Sequence, residues 1–184
     1  MSTVIKYVKV SSFNEKDRAY YNKLRQFYTP TRLRKIVPYI KSTSKTLSLR
    51  TFDWFSTNYV RDKKLILYAD AGGGAWTDKP IKYTTSTRIL RVSASYKNAL
   101  RSYTKRYFDP FKRIGGGKGV GGGGVIKYKW GETHSFDTTL AQLIYFRWVL
   151  ENNLLDYIIA NREKIMAHYK KHNKTTTTHS RAKG

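Results

Sequence analysis

The sequence contains no cysteine, and this absence excludes several classes of protein at once. A disulfide scaffold, a cysteine-ligated zinc site, an iron–sulfur cluster and a cysteine nucleophile are all impossible. Long hydrophobic runs are missing as well, so no stretch of the sequence is long and apolar enough to form a membrane-spanning helix. The opening segment MSTVIKYVKV lacks the apolar stretch of a signal peptide, which predicts an intracellular soluble protein that is not secreted.

Acidic residues are scarce: 12 Asp and Glu stand against 36 Lys and Arg, which gives a formal charge of +24 on 184 residues. The net charge is +10 over 1–50, +11 over 81–130 and +5 over 170–184, whereas 51–80 and 131–169 have 0 and −2. The two nearly neutral stretches contain the densest apolar clusters. Because like charges repel on a compact body, the sequence predicts a polyanionic partner, either nucleic acid or acidic protein subunits. A merely solubilising surface is the alternative, although solubility needs a net charge of only about 2–8.

Hydrophobic periodicity predicts an α+β fold, a helix-rich single domain over 1–169 with a small β-sheet. A first helix is predicted from a cap at Ser12 or Asn14 to Tyr28. Residues 31–46 are predicted to be a basic connector, because Pro38 should block a continuous helix. Further helices are predicted over 49–59, 96–108, 138–151 and 154–169, and strands over 4–10, 64–69, 81–92 and 125–130. The polar residues 170–184 are predicted to form a disordered basic tail.

Glycine is concentrated in one segment, GGGKGVGGGG at 115–124. A phosphate-binding loop of the Walker type needs G-x-x-x-x-G-K-[ST] after a buried strand. Here Lys118 is followed by Gly119, and the preceding segment is an Arg-rich predicted helix, so neither a nucleotide nor any other cofactor is predicted. The segment is instead interpreted as a flexible basic loop that either lies along a phosphate backbone or is an inserted linker.

Three residues in GETHSFD, Glu132, His134 and Asp137, are candidates for metal binding or acid–base catalysis. They could ligate a hard metal or act as acid and base in a phosphodiester-cleaving or -joining enzyme. In the other interpretation, Asp137 caps the helix that starts at Thr138, and Glu132 and His134 lie in a strand-to-helix loop. The sequence favours this second interpretation, and therefore a non-enzymatic protein without catalytic residues.

Lysine and arginine alternate with aromatic residues at 18–28, 96–113 and 127–130. Basic side chains neutralise phosphates and release counterions, and aromatic side chains can stack on exposed bases. No helix-turn-helix, zinc-finger or RNP pattern occurs, so no base-specific readout is predicted. The candidate polyanion-binding residues are Lys23, Arg25, Arg32, Arg34, Lys35, Arg101, Lys105, Arg106, Lys112, Arg113, Lys118, Lys170, Lys171 and Lys174.

Parts of the sequence resemble an uncharacterised family of proteins from nucleocytoplasmic large DNA viruses, the giant viruses of algae and amoebae. The most specific parts are Phe108-Asp109-Pro110-Phe111 and Gln142-Leu143 followed by Phe146-Arg147-Trp148. The resemblance implies a viral protein, in the virion or inside the infected cell, and supplies no catalytic residues. The similar stretches are SLRTFDWFSTNYV at 48–60, SYKNALRSYTKRYFDPFKR at 95–113 and TTLAQLIYFRWVLENNLLDYI at 138–158.

Within these stretches, Phe108, Phe111, Phe146 and Trp148 are expected in the core. Arg147 is expected to pair with a buried acid, Asp53 or Asp109, because an unpaired guanidinium in an apolar helix is costly.

Three functions remain open at this point. The first is a non-enzymatic structural or virion-associated protein, such as a minor capsid protein, whose basic surface contacts nucleic acid or acidic capsid partners. The second is a free nucleic-acid-binding factor that acts on viral DNA or RNA. The third is a metal-dependent phosphodiester-cleaving or -joining enzyme that uses Glu132 or Asp137.

Overall fold

The computed structural model describes residues 7–44, 47–70, 74–111 and 124–181, with side chains described as far as Asn173. The predicted helix-rich α+β class is confirmed. None of the described helices is long and apolar enough to cross a membrane. The helices are α1 (Glu15–Phe27), α2 (Pro30–Ile40), α3 (Leu49–Trp54), α4 (Val60–Asp62), α5 (Val92–Tyr107), α6 (Leu140–Glu151), α7 (Leu154–Ala160) and α8 (Arg162–Arg181). The strands are β1 (Ile66–Ala69), β2 (Arg88–Arg91), β3 (Ile126–Trp130) and β4 (His134–Thr138).

The chain divides into two compact units, each built from two separate segments. Unit 1 comprises residues 1–49 and 98–152, and unit 2 comprises residues 50–97 and 153–184. Strands β3 and β4 pair in unit 1, and β1 and β2 pair in unit 2. Each unit therefore has its own two-stranded antiparallel sheet.

In unit 1, helices α1 and α2 pack on α6. The predicted cap of α1 is confirmed, because the Asn14 side chain accepts a hydrogen bond from the Asp17 backbone N–H at 2.8 Å. Helix α6 is buried on nearly all sides, as its almost uniformly apolar sequence predicts. The buried Tyr28 hydroxyl donates to the Leu143 carbonyl in α6 at 2.6 Å, which ties the end of α1 to the centre of the unit.

Helix α2 contradicts the predicted connector at 31–46. Its first residue is Pro30, at a position where a helix needs no N–H donor, and the Thr29 side chain caps it. Pro38 lies two residues before the end, and its missing N–H costs the helix one backbone hydrogen bond, that to the carbonyl of Arg34. This cost is offset by burial of three apolar side chains, Leu33, Ile36 and Ile40.

The sequence predicts a loop where the structure has β4, which pairs with β3 from Ile126 opposite Thr138 to Trp130 opposite His134. Asp137 therefore lies in a strand and does not cap α6. The N-cap is Thr139, which exchanges reciprocal hydrogen bonds with Gln142 in a capping box.

At the start of unit 1, the predicted strand over 4–10 is present in the described residues only as a parallel bridge between Tyr7 and Val125.

Unit 2 contains the β1–β2 hairpin and a helical segment that changes pitch. Strands β1 and β2 lie within the predicted ranges 64–69 and 81–92. Between α3 and α4, residues Phe55–Tyr59 form a π-helical turn that packs against α8. Within the helix predicted over 49–59, the apolar side chains of Phe52, Phe55 and Tyr59 are buried.

Helix α8 continues to Arg181, although the sequence predicts a disordered tail from Lys170 onward. Neither glycine nor proline, the two strongest helix breakers, interrupts this stretch before Gly184. Its middle is also anchored in unit 2, because the rings of Tyr169 and His172 lie 5.0 and 5.1 Å from the Trp54 ring. The aromatic packing explains why the helix extends past residue 170.

Candidate polyanion-binding surface

The candidate cations on α1 and α2 are all exposed to solvent. Both helices turn most of their apolar residues toward α6, so their basic residues lie on the opposite, solvent-facing sides. These cations are Lys23, Arg25, Arg32, Arg34 and Lys35.

Two of these arginines are held in place by the protein. The Arg25 guanidinium donates to the Lys129 carbonyl at 2.5 Å and lies 5.7 Å from the Tyr128 ring centroid. The Arg32 guanidinium donates to the Phe27 carbonyl at 2.7 Å and lies 4.2 Å from the Phe27 ring. A guanidinium has five N–H donors, so one internal bond orients the group and leaves other donors for a ligand. Such preorganisation reduces the entropy lost on binding.

The predicted partner of Arg147 is wrong. Its Nε pairs with the Glu151 carboxylate one helical turn later, at 2.7 Å, and not with Asp53 or Asp109. The Arg147 side chain is 26% exposed, so it reaches the edge of the unit and needs no buried acid. Its guanidinium lies 5.0 Å from the Phe27 ring, which therefore has two arginines near it.

Three further candidates, Arg101, Lys105 and Arg106, are exposed on α5. Thr104 interrupts this helix with a φ of 63°, so Lys105 and Arg106 do not continue the helical face of Arg101. The α1, α2 and α5 cations together give eight exposed candidates in unit 1. This set of eight is called the cationic surface.

The remaining candidates lie elsewhere. Lys112, Arg113 and Lys118, with most of the predicted glycine loop, are outside the described residues. Lys170 and Lys171 are exposed on α8 in unit 2, and Lys174 belongs to the same helix. The predicted set is thus divided between two units.

Unit 1 contains 20 basic and 6 acidic residues, and four of the six acids are bonded to groups outside the cationic surface. The partners of these four acids are the Tyr107 hydroxyl for Asp17, the Phe111 N–H for Asp109, the Tyr7 hydroxyl for Asp137 and the Arg147 guanidinium for Glu151. Burial, followed by the hydrogen bond to Asp17, raises the pKa of Tyr107 to about 12, so this tyrosine stays a neutral donor. The acids of unit 1 therefore leave most of its positive charge without compensation.

The candidate metal residues do not converge. Glu132 is in the exposed turn of the β3–β4 hairpin, and His134 stacks on the Trp130 ring at 5.3 Å. His134 and Asp137 are three residues apart on β4, which places them on opposite faces of the strand. In the ranges that the structure describes, no three His, Asp or Glu residues are grouped so that they could hold a metal ion.

Sequence reasoning missed a polar cluster in unit 2 around His168. Its Nδ1 accepts a hydrogen bond from the Trp54 indole N–H at 3.0 Å, and its Nε2 lies 3.6 Å from an Asp62 carboxylate oxygen. An indole can only donate, so this bond requires an unprotonated Nδ1. The pKa of His168 is lowered, chiefly by burial, against the opposing effect of Asp62. The other charged or titratable groups that act on it are Lys63, Lys171 and His172.

Acidification is expected to destabilise unit 2 through His168. A histidine whose pKa is lower in the folded state takes up protons preferentially when unfolded, so its stabilising contribution is complete above a pH of about 6.5. This contribution is lost as the pH falls toward the folded-state pKa, with a slope of at most about 1.4 kcal/mol per pH unit. Urea unfolding followed at pH 7.5 and 5.5, together with the NMR signal of the Trp54 indole proton, measures the effect.

The matched control is His168→Gln, which keeps a hydrogen-bond acceptor for the indole but cannot titrate. The variant should flatten the pH dependence between about 5.5 and 7.5. An unchanged pH dependence in His168→Gln would show that other groups are responsible.

The fold and surface together define a helix-rich α+β protein in which a neutral aromatic core carries cationic helix faces. The chain belongs to a family of unknown function, DUF7197, whose model matches residues 1–184. It is similar to the uncharacterized protein L507 of Acanthamoeba polyphaga mimivirus, with 27% identity over 153 residues that cover 79% of this chain and 51% of the relative. The chain therefore spans about half the length of that relative. The resemblance to giant-virus proteins is confirmed, and no solved structure matches the chain with significance.

Proposed function

We propose that this chain is a non-enzymatic, virion-associated giant-virus protein that binds nucleic-acid phosphates through the cationic surface of unit 1. One observation carries the proposal: unit 1 exposes eight lysines and arginines, on α1, α2 and its part of α5, and its acids are mostly bonded elsewhere. Phosphate contacts with lysine and arginine release condensed counterions, and this release drives binding without regard to sequence.

The character of the surrounding surface favours phosphate over an acidic protein subunit. A protein–protein interface has an apolar, aromatic-rich centre within a polar rim. Among the described residues of unit 1, the large hydrophobic side chains that are exposed are Tyr7 and Val10, and neither lies on α1, α2 or α5. The solvent sides of these helices therefore offer charge without an apolar centre.

The aromatic residues of α1 favour backbone contact over base stacking. Tyr20 packs against Tyr103 and Tyr107, with ring centroids 5.7 and 4.9 Å away, and Tyr21 packs against Tyr128 at 6.0 Å. Rings held in this way are part of the packing of unit 1. We therefore expect similar affinity for duplex and single-stranded nucleic acid of equal charge density.

A salt titration tests the proposal. Binding of a labelled DNA duplex of about 30 base pairs is measured by fluorescence anisotropy. If about six phosphates are contacted, affinity is expected to fall about 10³-fold between roughly 50 and 200 mM salt. The variant Lys23→Gln/Arg34→Gln/Lys35→Gln should weaken binding and reduce the slope of log Kd against log salt by roughly 2–3.

A matched control removes three exposed lysines of unit 2, in Lys79→Gln/Lys82→Gln/Lys164→Gln, and changes the net charge equally. It should leave the salt slope close to that of the parent protein. Equal losses in both triple variants would mean a diffuse charge effect and would contradict the assigned surface. If the protein bound neither DNA nor RNA at low salt but still bound polyglutamate, its partner would be an acidic protein and not nucleic acid.

A further inference from the structure

The outer edge of β2 in unit 2 is unpaired within the described residues. The strands pair in an antiparallel register with Leu67 opposite Leu90 and Tyr68 opposite Ile89. The Val92 N–H donates to the Leu65 carbonyl at 3.3 Å, which establishes which pairs exchange hydrogen bonds. By the alternation of an antiparallel ladder, the N–H and C=O groups of Ile89 and the N–H of Arg91 point away from β1, whereas the Arg91 carbonyl accepts the first hydrogen bond of α5.

The other edge of the hairpin is covered. Tyr68 exchanges two backbone hydrogen bonds with Thr77, at 2.9 and 3.0 Å, on the side of β1 that faces away from β2. Among the described residues, no comparable segment pairs with β2. Native proteins usually protect such edges, because an unpaired strand is a template for another strand.

Exposed apolar side chains lie on one face of the β1–β2 hairpin. Ile89 is 50% exposed and Tyr83 is 62% exposed, and the Tyr83 ring lies 6.0 Å from the ring of Tyr68. Tyr68 and Ile89 are cross-strand neighbours on the outward face, whereas Leu67 and Ala69 are buried on the opposite face. A grouped set of exposed apolar residues at a free strand edge is typical of a protein-docking site.

The charged side chains near Ile89 and Tyr83 indicate the charge of the partner. Arg91 is exposed and lies on the same face of β2 as Ile89, and Lys82 is exposed next to Tyr83 in the sequence. If a second copy of this chain paired along the same edge, its Arg91 and Lys82 would lie near the Arg91 of the first copy. Each copy already has a net charge of +24, so the two would repel each other. Charge complementarity therefore requires an acidic partner.

We propose that β2 docks an extended acidic segment of a partner protein, which adds to the sheet as a third strand. The N–H and C=O groups of Ile89 and the N–H of Arg91 supply the hydrogen bonds. An apolar residue of the added strand lies beside Ile89, and an acidic residue two positions along the same strand face lies beside Arg91. This inference is independent of the nucleic-acid proposal, because it concerns different residues in the other unit.

Two peptides of opposite charge test the proposal on the full-length protein. The probe is TVTETVTETV, which alternates apolar and acidic residues on one strand face, and the control is TVTKTVTKTV. The acidic peptide is expected to slow amide exchange at Ile89 and Arg91 by at least about tenfold and to bind at least about tenfold more tightly than the basic one.

Two variants separate backbone pairing from charge. Ile89→Pro removes the outward N–H without removing a hydrogen bond of the β1–β2 ladder, so it should abolish binding of the acidic peptide. Arg91→Glu should reverse the preference toward the basic peptide, and this result stays informative even if the proline variant unfolds. Lys41→Glu, at an exposed position of unit 1 outside the cationic surface, makes the same charge change and should leave the preference unaltered.

Three outcomes would overturn the proposal. The first is that neither peptide protects the Ile89 and Arg91 amides. The second is equal binding of both peptides, or binding that maps to α1 and α2. The third is protection of the same amides by concentrating the protein alone, which would identify a second copy as the occupant.

Discussion

Phe108→Ala is expected to lower the free energy of unfolding of unit 1 by about 3–5 kcal/mol. Phe108 is only 1% exposed, and its ring lies 5.5 Å from that of Tyr145 and 5.8 Å from that of Trp148. Both neighbours belong to α6, which is buried on nearly all sides and cannot collapse into the space that alanine leaves. The cost therefore includes a residual cavity as well as the lost hydrophobic transfer energy.

Urea unfolding monitored by tryptophan fluorescence and far-UV circular dichroism measures this effect. The matched control is Tyr83→Ala, which truncates an aromatic side chain that is 62% exposed and should change stability by no more than about 0.5 kcal/mol. A loss below about 1 kcal/mol in Phe108→Ala would mean that the aromatic cluster is not a core.

Gln142→Leu is expected to destabilise unit 1 by about 3 kcal/mol at similar side-chain volume. The Gln142 amide donates to the Pro110 carbonyl at 3.2 Å and accepts from the Thr139 backbone N–H at 3.2 Å. It also accepts from the Thr138 hydroxyl at 3.0 Å. Leucine leaves the first two buried groups without these partners, whereas the Thr138 hydroxyl retains the Thr139 carbonyl at 3.5 Å.

Thr139→Ser is the control for this variant, because serine keeps the hydroxyl that caps α6. It should cost only about 1 kcal/mol, because it removes one fully buried methyl group. If Gln142→Leu left the free energy of unfolding unchanged, the hydrogen-bond network would have rearranged around the leucine side chain. The bond to Pro110 would then not stabilise unit 1.

Phe108 and Gln142 also connect the two most specific parts of the family resemblance in the folded structure. The segment Phe108–Phe111 and the start of α6 are distant in sequence, yet Gln142 bonds to Pro110 and Phe108 packs against Trp148. The two pieces therefore build one part of unit 1.

The sequence predicts those elements that depend on residues close together in the chain. Of the two predicted caps of α1, Ser12 and Asn14, the second is the cap, the break after α6 falls at Asn152-Asn153, and β1 and β3 lie within the predicted ranges. Strand β4 was missed because HSFDT has a single large apolar residue, Phe136, and gains its hydrogen bonds from pairing with β3. Helix α2 was missed because burial outweighs a proline near a helix end.

The exposure of the candidate cations followed from their charge, since lysine and arginine are rarely buried unpaired. Their grouping did not follow, because the segments of unit 1 are separated by the first segment of unit 2. Contacts such as that of Arg25 with the Lys129 carbonyl depend on tertiary structure, and so do the positions of Trp54 and His168. The actual partner of Arg147 is local, because Glu151 lies four residues later on the same helix and therefore next to it on the helix surface.

The discontinuity of unit 1 has a consequence for how the chain folds. Asp17 bonds to Tyr107 and Tyr28 bonds to Leu143, contacts that close loops of 90 and 115 residues. During synthesis, α1 and α2 must wait until α6 has emerged before they can bury their apolar sides. Long loop closure slows folding, so this protein should fold more slowly than a helical bundle of equal length. In the interval, its early helices need shielding from aggregation.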